Sequence, residues 1–153
     1  MCPLSSKSLN PFFTVGYSHR SIDEFLRVLR TRHMVTLIDV RHSPVSRHRP
    51  EFSKRNLLRA LEGQGIAYVH MPALGVPKSI RDELAQTGDY DVFFAWYDAN
   101  VIPHLADELG KYLANDEHLP ATFMCMEEDP SQCHRSRISV ALRRLGFICI
   151  DIG

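Results

Sequence analysis

The residues able to do chemistry sit in short polar runs, each directly after an apolar stretch rich in strand formers. Gly16-Tyr17-Ser18-His19-Arg20 follows Phe12 to Val15, Asp39-Val40-Arg41-His42-Ser43 follows Val35 to Ile38, and His70 ends Ile66 to Val69. Cys125-Met126-Glu127-Glu128-Asp129 follows Ala121 to Met124, and Asp151 lies at the end of the apolar run that begins at Phe147. Four residues are candidate catalytic groups, three in these runs and one, Cys133, further along the chain. Cys125 and Cys133 are potential nucleophiles, and a thiol at Cys133, beside His134, Arg135 and a helix start, would have its thiolate favoured. Asp39 and Glu127 are acceptors suited to a ribose or base amine, and either can serve as a general acid or base if burial raises its pKa. The candidate ligand-binding residues are Gly16, Tyr17, Ser18, His19, Arg41, Ser43, His134 and Arg135: a glycine permits close backbone approach, hydroxyls donate, and guanidinium groups hold anions. The competing structural readings are that Asp39 and Arg41 form an ion pair, that Asp129-Pro130 caps a helix, and that Cys133 fills a core gap.

Such residues can cooperate only if the elements before them bring their ends together. Ser21 and Glu24 form a Ser-x-x-Glu capping box, and Ile22, Phe25, Leu26 and Leu29 recur at the spacing of one helix face, which predicts a helix over 21–32. Residues 35–40 are nearly continuous in apolar and β-branched types, as in a strand buried on both faces. Residues 41–52 carry Pro44, Pro50 and the run Arg47-His48-Arg49 without apolar period, and read as a basic loop. Ser53 can cap a helix through Leu57, Leu58 and Leu61 that stops at Gly63 and Gly65, and a third strand follows over 66–70. From Tyr90 to Leu113 apolar residues recur at helical spacing, but Pro103 removes a backbone donor and predicts a kink or break. A fourth strand over 121–126, a helix marked by Ile138, Ala141, Leu142 and Leu145, a capping Gly146 and a last strand over 147–151 complete the pattern.

Strands alternating with helices predict an α/β fold, a three-layer sandwich with a mainly parallel five-stranded sheet and helices on both faces. A strand order of 3-2-1-4-5 is compatible with the pattern. Residues 11–153 read as one domain, preceded by a flexible tail over 1–10. The chain has 153 residues, 44% of them hydrophobic and 24% charged, long enough for a core that needs neither metal nor disulfide to fold. Metal or thiol chemistry would therefore be functional. Eighteen Lys and Arg balance 18 Asp and Glu, so bulk charge gives no drive toward nucleic acid. No run of about 18 apolar residues is present and the first ten residues lack a secretory pattern, so no membrane partner and a cytoplasmic location are expected. The cysteines at 2, 125, 133 and 149 contain no Cys-x-x-Cys pair and read as free thiols, with Cys149 a core residue and Cys2 on a frayed terminus.

Several motifs taken together resemble those of the domain of unknown function 488 family: Thr14-Val15-Gly16-Tyr17-Ser18-His19-Arg20-Ser21, Leu37-Ile38-Asp39-Val40-Arg41-His42-Ser43-Pro44-Val45-Ser46, Phe52, Tyr68-Val69-His70-Met71-Pro72-Ala73-Leu74-Gly75, and Met124-Cys125-Met126-Glu127 with Cys133-His134-Arg135. The resemblance implies a single small α/β domain with a polar pocket at the strand ends, and names no reaction and no cofactor. It also implies a histidine where this chain has Tyr17, a role that His19 could inherit.

In an open parallel sheet the ligand crevice lies beyond the carboxyl ends of the strands. The first reading is therefore a protein that binds or acts on a phosphorylated small molecule or nucleotide, its anion at the Cys133-His134-Arg135 helix start. A second is a rhodanese-like enzyme using Cys125, suggested by Asp39-Val40-Arg41, although Arg135 lies far beyond the five or six residues that separate cysteine from arginine in such loops. A third is a metal site drawing on Cys125, Glu127, Cys133, His134, His19 or His70. The fourth is a nucleic-acid-binding module using Arg41-His42, Arg47-His48-Arg49 and Lys54-Arg55 in the loop from Arg41 to Arg55. Phe93, Phe94, Trp96 and Tyr97 could form core, lid or a homodimer contact.

Overall fold

Phe12 and Phe13 are neighbours in sequence but belong to different cores, because successive side chains of a strand point to opposite faces. The same division separates Ile38 from Leu37 and Phe123 from Met124, which is why apolar residues run consecutively in these strands rather than only at alternate positions. The computed structural model describes residues 11–153; the predicted tail over 1–10 and Cys2 lie outside the described residues. Five strands, β1 (Phe12–Gly16), β2 (Thr36–Asp39), β3 (Ala67–His70), β4 (Ala121–Cys125) and β5 (Cys149–Ile152), form one all-parallel sheet in the order β3-β2-β4-β1-β5. Helices α1 (Ile22–Thr31) and α2 (Lys54–Glu62) cover one face through Phe25, Leu29, Leu57 and Leu61. Helices α3 (Lys78–Thr87), α4 (Tyr90–Asn100), α5 (Leu105–Glu108), α6 (Gly110–Ala114) and α7 (Arg135–Arg144) follow, and the other face is covered chiefly through Tyr97, Leu105, Ile138 and Leu142. The α/β class and the two helical layers thus match the sequence reading.

The strand order differs from 3-2-1-4-5 by the insertion of β4 between β2 and β1. The reason is that each β–α–β step must stay right-handed. The steps from β1 to β3 run one way across the sheet with their helices on one face, and the steps from β3 to β5 run back with helices on the other. The chain leaves β4 toward one face while both neighbours, β1 and β2, are left toward the opposite face. That divergence opens a crevice beyond the end of β4.

Local signals account for most element ends. The Ser21 hydroxyl accepts from the Glu24 amide at 3.1 Å and starts α1, and Gly146, at φ 91°, turns the chain from α7 toward β5. Pro103 breaks the helical stretch as expected: α4 stops at Asn100, a 3-10 turn spans Ile102–His104, and α5 resumes at Leu105. Helix α3 was missed by the sequence reading because Lys78–Thr87 is mostly polar and contributes no fully buried residue. Among the described residues, no helix is long and apolar enough to cross a membrane.

Candidate functional site

A cavity of about 190 Å3 lies at the crevice beyond β4. Its walls come from the exits of β1 (Tyr17), β2 (Arg41, His42, Ser43) and β4 (Cys125, Glu127), from Cys133 and His134 at the start of α7, and from Arg81 of α3. Backbone bonds carry the sheet pairing past the strand ends: Tyr17 N–H donates to Cys125 O at 3.3 Å, Ser18 N–H to Met126 O at 3.0 Å, and Val40 N–H to Met124 O at 3.2 Å. Residues far apart in sequence are thereby fixed side by side.

Asp39 is fully buried. Arg41 donates from Nε to its Oδ1 at 2.8 Å and from NH2 to its Oδ2 at 2.7 Å, and the Tyr68 hydroxyl donates to the same Oδ2 at 2.5 Å. The carboxylate therefore has its acceptor sites filled by protein donors and acts as a counter-ion, so the ion-pair reading of Asp39 is the one realised. Burial alone would pull the Arg41 guanidinium down, but the hydrogen bonds and charge of Asp39 outweigh it and hold its pKa above the ordinary value. The remaining nitrogen of Arg41 meets the Tyr17 hydroxyl at 3.3 Å, while the Tyr17 ring stacks on Phe52 with centroids 4.4 Å apart.

Arg135 does not reach into the cavity as an anion holder. It is fully buried, donating from NH1 to Glu127 O at 2.6 Å and from NH2 to Glu128 O at 2.8 Å, with Asp151 Oδ1 at 3.3 Å. This arginine ties the β4–α7 loop to the end of β5. Gly16 serves the same knot: a Cβ there would lie 1.9 Å from Glu127 O and 2.6 Å from Arg135 NH1. The close approach expected of Gly16 is therefore to the protein's own backbone. Gly75 is also tight, since its Cβ would lie 2.4 Å from the His42 amide nitrogen, and this contact packs the loop after β3 against the His42 backbone.

The free-thiol reading of Cys125 and Cys133 is corrected: the two form a disulfide. Their spacing matches no familiar motif because the loop between them is folded by a 3-10 turn, Pro130–Gln132, in which Asp129 accepts from the Ser131 amide and Cys133 N–H bonds back to Pro130 O. That turn returns Cys133 to the end of β4. The cap predicted at Asp129-Pro130 is thus present on the 3-10 turn. Cys149 is the buried free cysteine among the described residues.

His134 is held by its ring: Nε2 lies 3.0 Å from Val40 O and Nδ1 3.7 Å from Cys133 Sγ. A carbonyl can only accept, so Nε2 carries the proton and Nδ1 presents a lone pair to the sulfur. Burial, together with the charges of Arg135 and Arg81 and against the Val40 hydrogen bond, lowers its pKa to about 4, so the ring is neutral near pH 7.

Tyr17, Arg41, Ser43, Cys125, Glu127, Cys133 and His134 are brought together, whereas Ser18 and His19 are not among the cavity walls. Ser18 is exposed, and His19 lies 3.9 Å from the Glu128 carboxylate. His19 is therefore not placed beside Tyr17 on the cavity wall. His70 is engaged elsewhere, Nε2 meeting Arg41 O at 2.8 Å. Among the described residues no group of three or more His, Cys, Asp or Glu side chains is arranged to hold a metal ion. The basic loop is partly internal: Arg49 donates to Glu51 at 2.8 Å, to Ser18 O at 3.1 Å and to Arg20 O, and lies over Phe52, leaving Arg47, Lys54 and Arg55 exposed. Phe93 and Tyr97 are core residues, the Tyr97 hydroxyl donating to Leu74 O at 2.6 Å. The sequence reading missed Arg81, because α3 itself was missed, and gave His42 to the nucleic-acid patch rather than to the pocket.

A family model described as "Domain of unknown function DUF488" matches residues 21–142. No curated protein and no solved structure matches the chain.

Proposed function

The chain belongs to the family of domain of unknown function DUF488, whose match covers most of its length, and from that premise we propose that it binds, or acts on, a small phosphorylated molecule of the nucleotide class in the cavity beyond β4. The observation that carries this reading is the pair of arginines in the walls. Arg41 has one guanidinium edge locked by Asp39 and its NH1 turned toward Tyr17, and Arg81 enters from α3 close enough to depress His134. Arg81 and the NH1 edge of Arg41, whose charge buried Asp39 already offsets, thus line a space whose described walls carry one carboxylate side chain, Glu127. An anion would gain charge-assisted hydrogen bonds worth about 1.5–3 kcal/mol each. Tyr17, Ser43 and His42 add polar groups, while Val76, Leu84 and Phe93 supply an apolar wall for an organic moiety. Glu127 is the group available to accept from a ribose or base amine.

Isothermal titration calorimetry with inorganic phosphate and with adenosine monophosphate tests the reading. Saturable binding is expected, tighter for the nucleotide, and Arg81→Ala should weaken it roughly tenfold or more by removing one charged donor. Absence of binding for both probes, or equal affinity in Arg81→Ala, would overturn it.

A further inference from the structure

We infer that Cys125 and Cys133 form a redox-active pair that exchanges electrons with a small-molecule disulfide entering through the cavity. The inference is independent of the anion reading, because it rests on the two sulfurs and their neighbours. Both cysteines line the cavity although each is at most 4% exposed, so a small molecule can reach them from the cavity while a protein surface cannot.

The two sulfurs have different surroundings. Cys125 Sγ lies 3.6 Å from Arg135 NH1, a buried guanidinium that favours a thiolate. Cys133 Sγ faces the lone pair of His134 Nδ1, which favours a protonated thiol donating to nitrogen. When reduced, the pair is therefore a thiolate at Cys125 and a thiol at Cys133, the asymmetry thiol–disulfide exchange uses. The Cys125 thiolate attacks one sulfur of RSSR, an S–S bond forms to Cys125, and RS⁻ leaves. Cys133 then gives up its proton and attacks Cys125 Sγ, releasing the second RS⁻, which takes that proton. Two electrons pass from the protein to the substrate, and the products are the observed Cys125–Cys133 disulfide, RS⁻ and RSH.

The test uses the full chain in native buffer, with dithiothreitol and oxidised glutathione as probes. After dithiothreitol, iodoacetamide should label Cys125 and Cys133 while the near-ultraviolet circular dichroism is retained, with Cys125 modified roughly tenfold or more faster than Cys149. Oxidised glutathione should then remove both labelling sites together. Cys133→Ser should stop at the first step and carry one glutathionyl group on Cys125, located by peptide mass spectrometry. A pair that resists dithiothreitol in the folded protein would overturn the inference, as would reduction that unfolds the chain, or thiols that stay separately labelled after oxidised glutathione. The wild-type measurements decide the matter even if Cys133→Ser does not fold.

Discussion

Arg41 grips Asp39 with two parallel hydrogen bonds, 2.8 and 2.7 Å, although the two are separated by a single residue at the very end of β2. The pairing turns Arg41 back along its own strand end and leaves NH1 facing Tyr17, so the counter-ion aims the cavity's arginine. Removing one partner of a buried pair leaves an uncompensated charge, a loss of about 3–5 kcal/mol. Asp39→Asn should therefore lower unfolding free energy by about that amount in urea titrations. Arg41→Lys should not restore the geometry, since an ammonium cannot make the paired contact.

Stability should fall in acid with a contribution from His134. Its pKa drops from an ordinary 6.5 to about 4 on folding, so between those values the unfolded chain binds more protons than the folded one. The stabilisation is fully present above pH 6.5 and is lost as pH falls toward 4, by roughly 2–3 kcal/mol. Urea midpoints measured across this window should show the slope, and His134→Gln should flatten it.

At Gly16 the limiting contact is backbone, because a new methyl would meet the Glu127 carbonyl that Arg135 also holds. Gly16→Ala should cost about 1–3 kcal/mol, the range for overpacking a filled interior. Thermal unfolding checks the cost, and phosphate titration of the folded fraction should show that displacing this knot also disturbs the cavity wall.

Tyr17 separates packing from polarity. Tyr17→Phe keeps the ring stack on Phe52 but deletes the hydroxyl 3.3 Å from Arg41 NH1. Stability should change by about 1 kcal/mol or less, whereas Tyr17→Ala, which empties a buried aromatic site, should lose about 3–5 kcal/mol. Comparing adenosine monophosphate affinity in Tyr17→Phe and wild type would show whether the hydroxyl serves the ligand or only Arg41.

Much of this protein was legible in one dimension, because the signals concerned are local. Ser21 caps α1, Pro103 interrupts the stretch after α4, and strands with consecutive apolar residues announce a sheet covered on both faces. The rule that ligands sit beyond strand ends in parallel sheets also made Tyr17, Arg41, Cys125 and His134 readable as neighbours before any coordinates. Tertiary structure alone decided how those residues are used. Whether Asp39 and Arg135 face a ligand or a buried partner depends on groups contributed from other elements, Tyr68 on β3 and Asp151 on β5. The joining of Cys125 to Cys133 depends on a 3-10 turn that folds the intervening loop back to the end of β4. Arg81 entered the cavity wall from a helix too polar to be recognised. Residue type sets what a side chain can offer, but burial and long-range partners fix what it has left to give.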